Sequence, residues 1–249
     1  MKEATFIDPE SLSALRGRRL FYPCAGHDYS EFLALFADHI DEFHFCDTCT
    51  YCDLRHLRYP FSNPELYPLI DKKIEGDPIA RMEDSSEARP YRYLRPGSLI
   101  EIYERARDGR RLKVVRRRGF GQYALAEFPN RSIGIFVHRG DRPVRGEGSS
   151  GVFFLANRKL DHEPLSNLFD KLTLRLADRA LVISDGSNTC IKFLKAKFHN
   201  ATTGAEAFER LRHEPRPFGA FDWRCVGYVS KKNGPTLVWD VMRRGTSAT

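Results

Sequence analysis

The pattern of apolar and polar residues predicts a βαβ unit near the start of the chain. Residues 18–23 are a short apolar run that ends in proline, and residues 29–40 carry apolar side chains at helical spacing. Residues 42–47 form a second apolar segment, which ends in Asp47. A strand, a glycine-containing loop, a helix and a second strand in this order imply that the two strands pair in parallel.

The remainder of the chain predicts further strands around a less regular middle. Several prolines between residues 60 and 98 indicate that long regular elements are absent there. Asp108-Gly109 is a strong hairpin turn signal between two apolar segments, residues 99–106 and 112–118. The other predicted elements are helices at 122–128 and 165–176, strands at 132–137, 152–155 and 180–184, and a second hairpin at 222–228 and 236–241.

These elements predict an α/β fold class: a Rossmann-like open, mostly parallel sheet with an antiparallel C-terminal hairpin and an inserted β-hairpin in the middle. No internal repeat, low-complexity segment or flexible linker divides the chain. We therefore expect a single Rossmann-like domain over residues 1–249, in which residues 60–120 are a proline-rich and basic elaboration.

Composition and charge narrow the class of protein. The 249 residues are 41% hydrophobic and 29% charged, as in ordinary globular proteins, and no apolar stretch approaches the ~18–20 residues of a membrane span. We expect no signal peptide, no membrane contact and a cytoplasmic location.

The net charge of +7 is unevenly distributed along the chain, because residues 1–80 are acidic and the rest is basic. This asymmetry indicates either an interspersed solvated surface or an anionic partner.

Four predicted strands end in polar or glycine-rich loops. These loops follow the strands at Tyr22, Cys46, Val137 and Ser184. If the strands are parallel neighbours, the loops lie along one edge of the sheet, where open α/β sheets bind their ligands. Turn-forming residues are common in any loop, so the prediction of a ligand cleft depends on the four occurring together.

The first loop and the acid after the second strand suggest a nucleoside-type cofactor. Gly26 allows a bound group to approach the backbone, and Asp47 follows it at the spacing of an acid that binds a ribose hydroxyl. Residues 18–47 resemble the first motif of class I S-adenosylmethionine-dependent methyltransferases. The resemblance implies S-adenosylmethionine as cofactor and these cofactor-binding residues: Pro23, Ala25, Gly26, Asp28 and Asp47.

The later loops suggest a substrate site and a proton acceptor. His138 is the candidate acid–base residue, and Asp141 or Asp185 could orient it; a buried structural histidine is the alternative. The loop at 146–151 matches G-x-G-x-x-G but lacks the preceding strand and following helix of a dinucleotide site, so we exclude NAD. The candidate substrate-binding residues are Arg139, Arg145, Gly146, Glu147, Gly148, Ser149, Ser187 and Asn188.

The cysteine spacing leaves a metal site as an alternative. Cys46, Cys49 and Cys52 form C-x2-C-x2-C, with His56 close in sequence and Cys24 in the first loop. A zinc or iron–sulfur site would need such ligands. Because no second cysteine pair is present, we expect reduced thiols and no metal.

Together these patterns predict an S-adenosylmethionine-dependent methyltransferase acting on a small-molecule or anionic substrate. The alternative is a non-catalytic nucleic-acid or phosphate-binding protein that uses the basic segment 81–118, where Arg116-Arg117-Arg118 accompany Tyr91, Tyr93 and Tyr103. Neither the substrate nor the oligomeric state follows from the sequence.

Overall fold

A large mixed β-sheet dominates the described part of the computed structural model. The described residues are 4–47, 51–80, 96–119, 121–139, 143–144, 147–148, 168–186, 192–194, 200–229 and 235–245. The strands are β1 Phe6–Ile7, β2 Arg19–Tyr22, β3 Glu42–Asp47, β4 Leu69–Gly76, β5 Gly97–Glu104, β6 Arg111–Arg118, β7 Ile133–His138, β8 Pro143–Val144, β9 Glu147–Gly148, β10 Leu176–Ser184, β11 Arg216–Phe218, β12 Phe221–Val229 and β13 Thr236–Arg243.

Short helices connect some of these strands. The α-helices in the described residues are α1 Pro9–Ser13, α2 Ser30–Phe36, α3 Gly121–Ala126, α4 Leu168–Arg175 and α5 Gly204–Leu211. Single 3-10 turns occupy Leu54–His56, Pro64–Leu66 and Lys192–Leu194. Asp8 caps α1 and Thr203 caps α5 through side-chain oxygens that accept backbone N–H groups, which explains where both helices begin.

The strand order places a parallel block between two antiparallel flanks. Eleven described strands form one sheet in the order β1-β12-β13-β10-β7-β2-β3-β6-β5-β4, with β11 paired to β12. The neighbours from β10 to β6 pair in parallel, and all other neighbours pair antiparallel. A separate two-stranded ribbon joins β8 and β9.

The predicted fold class is wrong. Six of the ten pairings in the described sheet are antiparallel, and the described helices are few and short, so the sheet is not a Rossmann-like, mostly parallel α/β fold. The prediction extended the parallel geometry of one βαβ unit to the whole chain. It included the hairpins β5–β6 and β12–β13 but missed β1, β4 and β11, which add three antiparallel pairings to the sheet.

Several local predictions are nevertheless confirmed. β2 pairs with β3 in parallel, β5 with β6 as an antiparallel hairpin, and β12 with β13 antiparallel.

The expectation of no long regular element at 60–98 is wrong, because β4 is eight residues long. The predicted helix at 29–40 ends four residues early, at Phe36. Residues 152–155 lie outside the described residues.

The two faces of the sheet carry separate hydrophobic clusters. Alternate residues of the central strands point to opposite faces, so Phe21 and Phe136 belong to one cluster while Leu20 and Ile135 belong to the other. Trp223 and Trp239 are the largest side chains of the first cluster, and α2 covers the second with Phe32, among others. Burial on both faces makes the central strands the rigid support for the loops at their ends.

Two glycines allow the segment before β2 to lie close against the backbone of β7. Gly134 lies in β7 at a register irregularity opposite β2. A Cβ atom on Gly134 would come within 2.1 Å of the backbone oxygen of Gly17, and a Cβ on Gly17 within 2.4 Å of the backbone nitrogen of Gly134. Only glycine at both positions avoids this backbone clash.

We therefore expect Gly134→Ala to lower the free energy of unfolding by about 2–3 kcal/mol, because the atoms in the way belong to the backbone and cannot rotate aside. Gly17→Ala should have a loss of similar size, since it creates the reciprocal clash. Urea unfolding of both variants measures the effect. Wild-type stability in either variant would contradict the close approach.

Candidate functional site

The strands that precede the four predicted loops end along one edge of the sheet. β10, β7, β2 and β3 are adjacent and parallel, so their carboxyl ends point the same way. Ser184 lies directly opposite His138 in the register of β10 and β7, and Tyr22 opposite Phe45 in β2 and β3. The expectation that the strand ends converge is confirmed, and we call this place the strand-end site.

The loop after β2 is folded tightly against the end of β3. Cys24 and Gly26 have positive φ angles of 60° and 54°, which turn the chain sharply after Pro23. The Ala25 N–H donates to the Cys46 oxygen at 2.8 Å, and the Gly26 N–H donates to Oδ2 of Asp47 at 3.1 Å. The predicted pair of a glycine loop and a distant acid is therefore brought together.

A network of charges fixes the start of α2 to the end of β7. Nε and Nη2 of Arg139 donate to Oδ2 of Asp28 at 3.0 and 2.6 Å, and Nη2 also donates to Glu31 at 3.0 Å. The guanidinium lies 4.9 Å from the ring centroid of Phe32, and Arg139 is 2% exposed. Asp28 and Arg139 thus form an ion pair with each other. The binding of a cofactor by Asp28 and of a substrate by Arg139 stays a prediction.

Tyr22 completes this network and was not foreseen. Its hydroxyl lies 3.1 Å from Oδ2 of Asp28 and 3.2 Å from the backbone oxygen of Arg139. Burial, followed by the negative charge of Asp28, raises the pKa of Tyr22 well above its usual value, so the hydroxyl stays protonated. Its position as the last strand residue before a proline was the available sequence signal.

His138 and Asp185 lie at neighbouring strand ends. His138 is 0% exposed, and its ring stacks near Phe136 with 6.4 Å between centroids. The Asp185 N–H donates to the His138 backbone oxygen at 3.3 Å, and the Gly186 N–H donates to the Ser184 hydroxyl. The two catalytic candidates are therefore adjacent through the backbone, with the imidazole enclosed and Asp185 half-buried.

Two residues of the predicted substrate loop belong to the short ribbon of β8 and β9. Glu147 and Gly148 form β9, where they pair with Val144 and Pro143. The other candidates lie outside the described residues: Asp141, Arg145, Gly146, Ser149, Ser187 and Asn188.

The arginines of β6 do not form one basic surface. Arg116 and Arg118 are buried on one face of the sheet, and Arg117 points to the other. Arg116 pairs with Glu101, while Arg118 donates to the backbone oxygens of Tyr51, Cys52 and Asp77.

Tyr103 is buried, and Tyr91 and Tyr93 lie outside the described residues. In the described part of segment 81–118, two of the three consecutive arginines, Arg116 and Arg118, are thus buried and bonded to groups of the protein itself.

The structure describes two of the three cysteines in the C-x2-C-x2-C motif, Cys46 and Cys52. Cys49 lies outside the described residues, and within them no three His, Cys, Asp or Glu side chains assemble as metal ligands. Cys46 is buried and Cys52 is exposed. Burial raises the pKa of the Cys46 thiol to about 12, so this thiol is protonated at neutral pH. Reduced thiols stay a prediction.

The face of β3 that carries Cys46 also carries a charge cluster, which we call the Glu42 cluster. Oε2 of Glu42 accepts from Nε of Arg19 at 2.7 Å and lies 3.4 Å from Nε2 of His44, while Oε1 lies 3.7 Å from Nζ of Lys113. The hydrogen bond with His44, then that with Arg19, lowers the pKa of Glu42 to about 2 against the opposing effect of burial. Burial lowers the pKa of His44.

The Glu42 cluster should stabilise the fold in a pH-dependent way. The folded pKa of Glu42 lies near 2 and its ordinary value near 4.5, so its contribution is present above pH 4.5 and is lost as the pH falls toward 2. We expect Glu42→Gln to cost about 1–2 kcal/mol at pH 7, because the side chain is 26% exposed, and little at pH 2.5. Denaturant unfolding across this range measures it; a constant difference would contradict the assignment.

No helix in the described part of the chain is long and apolar enough to cross a membrane. Comparison with family models, with curated proteins and with solved structures gives no match for this chain.

Proposed function

We propose that the protein is an S-adenosylmethionine-dependent methyltransferase that binds its cofactor at the strand-end site. The hydrogen bond between Gly26 and Asp47 carries this proposal, because it couples the turn after β2 to the acid at the end of β3. A carboxylate can accept several hydrogen bonds, so Asp47 can hold the loop and still accept from ribose hydroxyls. The small residues Ala25 and Gly26 suit a close approach of the cofactor to the backbone.

The chain's own residues would act mainly by positioning. When bound, S-adenosylmethionine supplies an electrophilic methyl group to a lone pair of the acceptor. Rate enhancement in such a transfer comes largely from holding donor and acceptor in line. Arg139 fixes Asp28 and Glu31, and with them the start of α2 beside the proposed cofactor loop. Asp185, half-buried beside enclosed His138, is the better-placed group to take a proton from the acceptor.

The proposed substrate is anionic. Positive charge is concentrated after residue 80, whereas the cofactor loop and Asp47 lie in the acidic first part of the chain. A ribose held by a carboxylate does not require that positive charge, so an anionic substrate is the ligand that would use those cations that are not already paired inside the protein.

Calorimetric titration with S-adenosylhomocysteine tests the proposal. Asp47→Asn keeps an oxygen that can accept from Gly26 but removes the charge, and we expect it to weaken binding about tenfold or more. Glu65→Gln is the matched control, because Glu65 is an exposed acid in the turn Pro64–Leu66, and it should bind like wild type. No heat at about millimolar ligand, or equal binding by Asp47→Asn, would contradict the proposal.

A further inference from the structure

A groove of about 290 Å³ lies on the face of the sheet that carries the Glu42 cluster, and Gly26, Asp47 and His138 of the strand-end site are not among its lining residues. Strands β2 to β6 contribute to it, and α3 with Phe128 borders it. Its apolar surface includes Val115 and Ile100, which are cross-strand partners in β6 and β5. The Phe128 ring adds an aromatic surface and packs edge-on against His44, with 4.6 Å between centroids.

Two cations of one strand enter this groove. Lys113 and Arg117 lie on either side of Val115, and the two-residue period of β6 directs all three to the same face. Their side chains are 38% and 21% exposed, respectively, so each is partly withdrawn from water. Partial burial strengthens their interaction with a bound anion.

The groove is lined by three cations, Arg19, Lys113 and Arg117, and by three carboxylates, so its formal charges balance while all six side chains face it. The carboxylate of Glu42 forms ion pairs with both Arg19 and Lys113, and the ring of His44 lies next to it. Glu75 is paired with Lys73 at 2.7 Å. When one carboxylate leaves the groove, one cation is in excess, and a concave surface with such an excess attracts a ligand of the opposite sign.

Glu127 is the remaining acidic neighbour and is easily displaced. It pairs with Arg117, but its side chain is 63% exposed. Because the Glu127 carboxylate lies mostly in water, its pairing contributes only about 0–1 kcal/mol, so exchanging it for a ligand carboxylate costs little. The guanidinium of Arg117 offers the forked donors that match such a carboxylate.

We propose that this groove is a binding site for a small organic carboxylate with an aromatic or aliphatic body. The carboxylate pairs with Arg117 and Lys113, and the body lies on Val115 and Ile100 beside Phe128. This combination of a few convergent polar groups with an apolar surface is that of a small-molecule site.

The test compares three ligands of one shape and different charge, followed by NMR titration of the full chain. Benzoate should bind with a dissociation constant of about 1 mM, and benzylamine and benzamide at least about fivefold more weakly. Arg117→Gln should weaken benzoate binding about fivefold or more. Lys72→Gln is the matched control, because Lys72 is an exposed cation of β4 that does not line the groove, and it should leave binding within about twofold.

If Arg117→Gln does not fold, Lys113→Gln supplies the same comparison. Equal binding of benzylamine and benzoate would overturn the proposal. The same holds if the groove variant and Lys72→Gln lose equal affinity, or if benzoate does not bind at about 20 mM.

Discussion

Glu101→Leu, with Arg116 left in place, is expected to lower the free energy of unfolding by about 3–5 kcal/mol. Nη2 of Arg116 donates to Oε2 of Glu101 at 2.6 Å, and the two side chains are 0% and 4% exposed. Nη1 donates to the Tyr29 hydroxyl at 3.2 Å and to the Arg58 oxygen at 2.5 Å. Removing Glu101 leaves the guanidinium buried without its countercharge, and that desolvation is the source of the loss.

Two comparisons separate this explanation from a general loss of packing. The double variant Glu101→Leu/Arg116→Met should be more stable than Glu101→Leu alone, because no buried charge remains. Arg117→Met changes the next residue of β6 on the other face and should cost only about 0–1 kcal/mol. Urea midpoints and slopes provide all three values. A single-variant loss below about 1 kcal/mol would contradict the buried pair.

Arg139→Met should be the second large effect, with a loss of about 3–4 kcal/mol. The substitution removes the countercharge of Asp28 and Glu31 and the contact with the Phe32 ring. Arg131→Met is the matched control, because Arg131 also pairs with an acid but its side chain is 59% exposed.

The control should change the melting temperature little, and Arg139→Met should lower it by about 6–16 °C for a chain of this size. Similar melting temperatures for both variants would show that the network at the strand-end site does not stabilise α2.

Local apolar patterns were enough to predict the central strands but not the strands that pair around them. Glu42–Asp47 was predicted with its observed bounds, because its apolar positions alternate and a polar loop follows. β4 was missed because it lies at the sheet edge, where most of its residues are exposed and no core imposes a pattern. The antiparallel hairpins were predicted, but without β1, β4 and β11 the parallel pairings were overestimated and the fold class was wrong.

The buried arginines of β6 and the buried Glu101 of β5 could have been predicted from the two-residue period of a β-strand. One face of β6 carries Leu112, Val114, Arg116 and Arg118. Because Leu112 and Val114 are apolar, this face was expected to point inward, and the two arginines with it. Glu101 lies between Leu99 and Tyr103 on the corresponding face of β5.

The strand-end site was predictable only in part. Gly26 and Asp47 were predicted together from their spacing in one βαβ unit, and they are in contact. The pairing of Asp28 with Arg139 joins residues 111 positions apart, and no local pattern encodes such a contact.

A crystal structure of the protein soaked with S-adenosylhomocysteine tests the proposed function most directly. The ribose is expected beside the Asp47 carboxylate and the amino-acid end beside Ala25 and Gly26, at the carboxyl ends of β2 and β3. Ligand density elsewhere, or an unoccupied strand-end site at saturating ligand in an accessible crystal, would contradict a methyl-donor site at this edge.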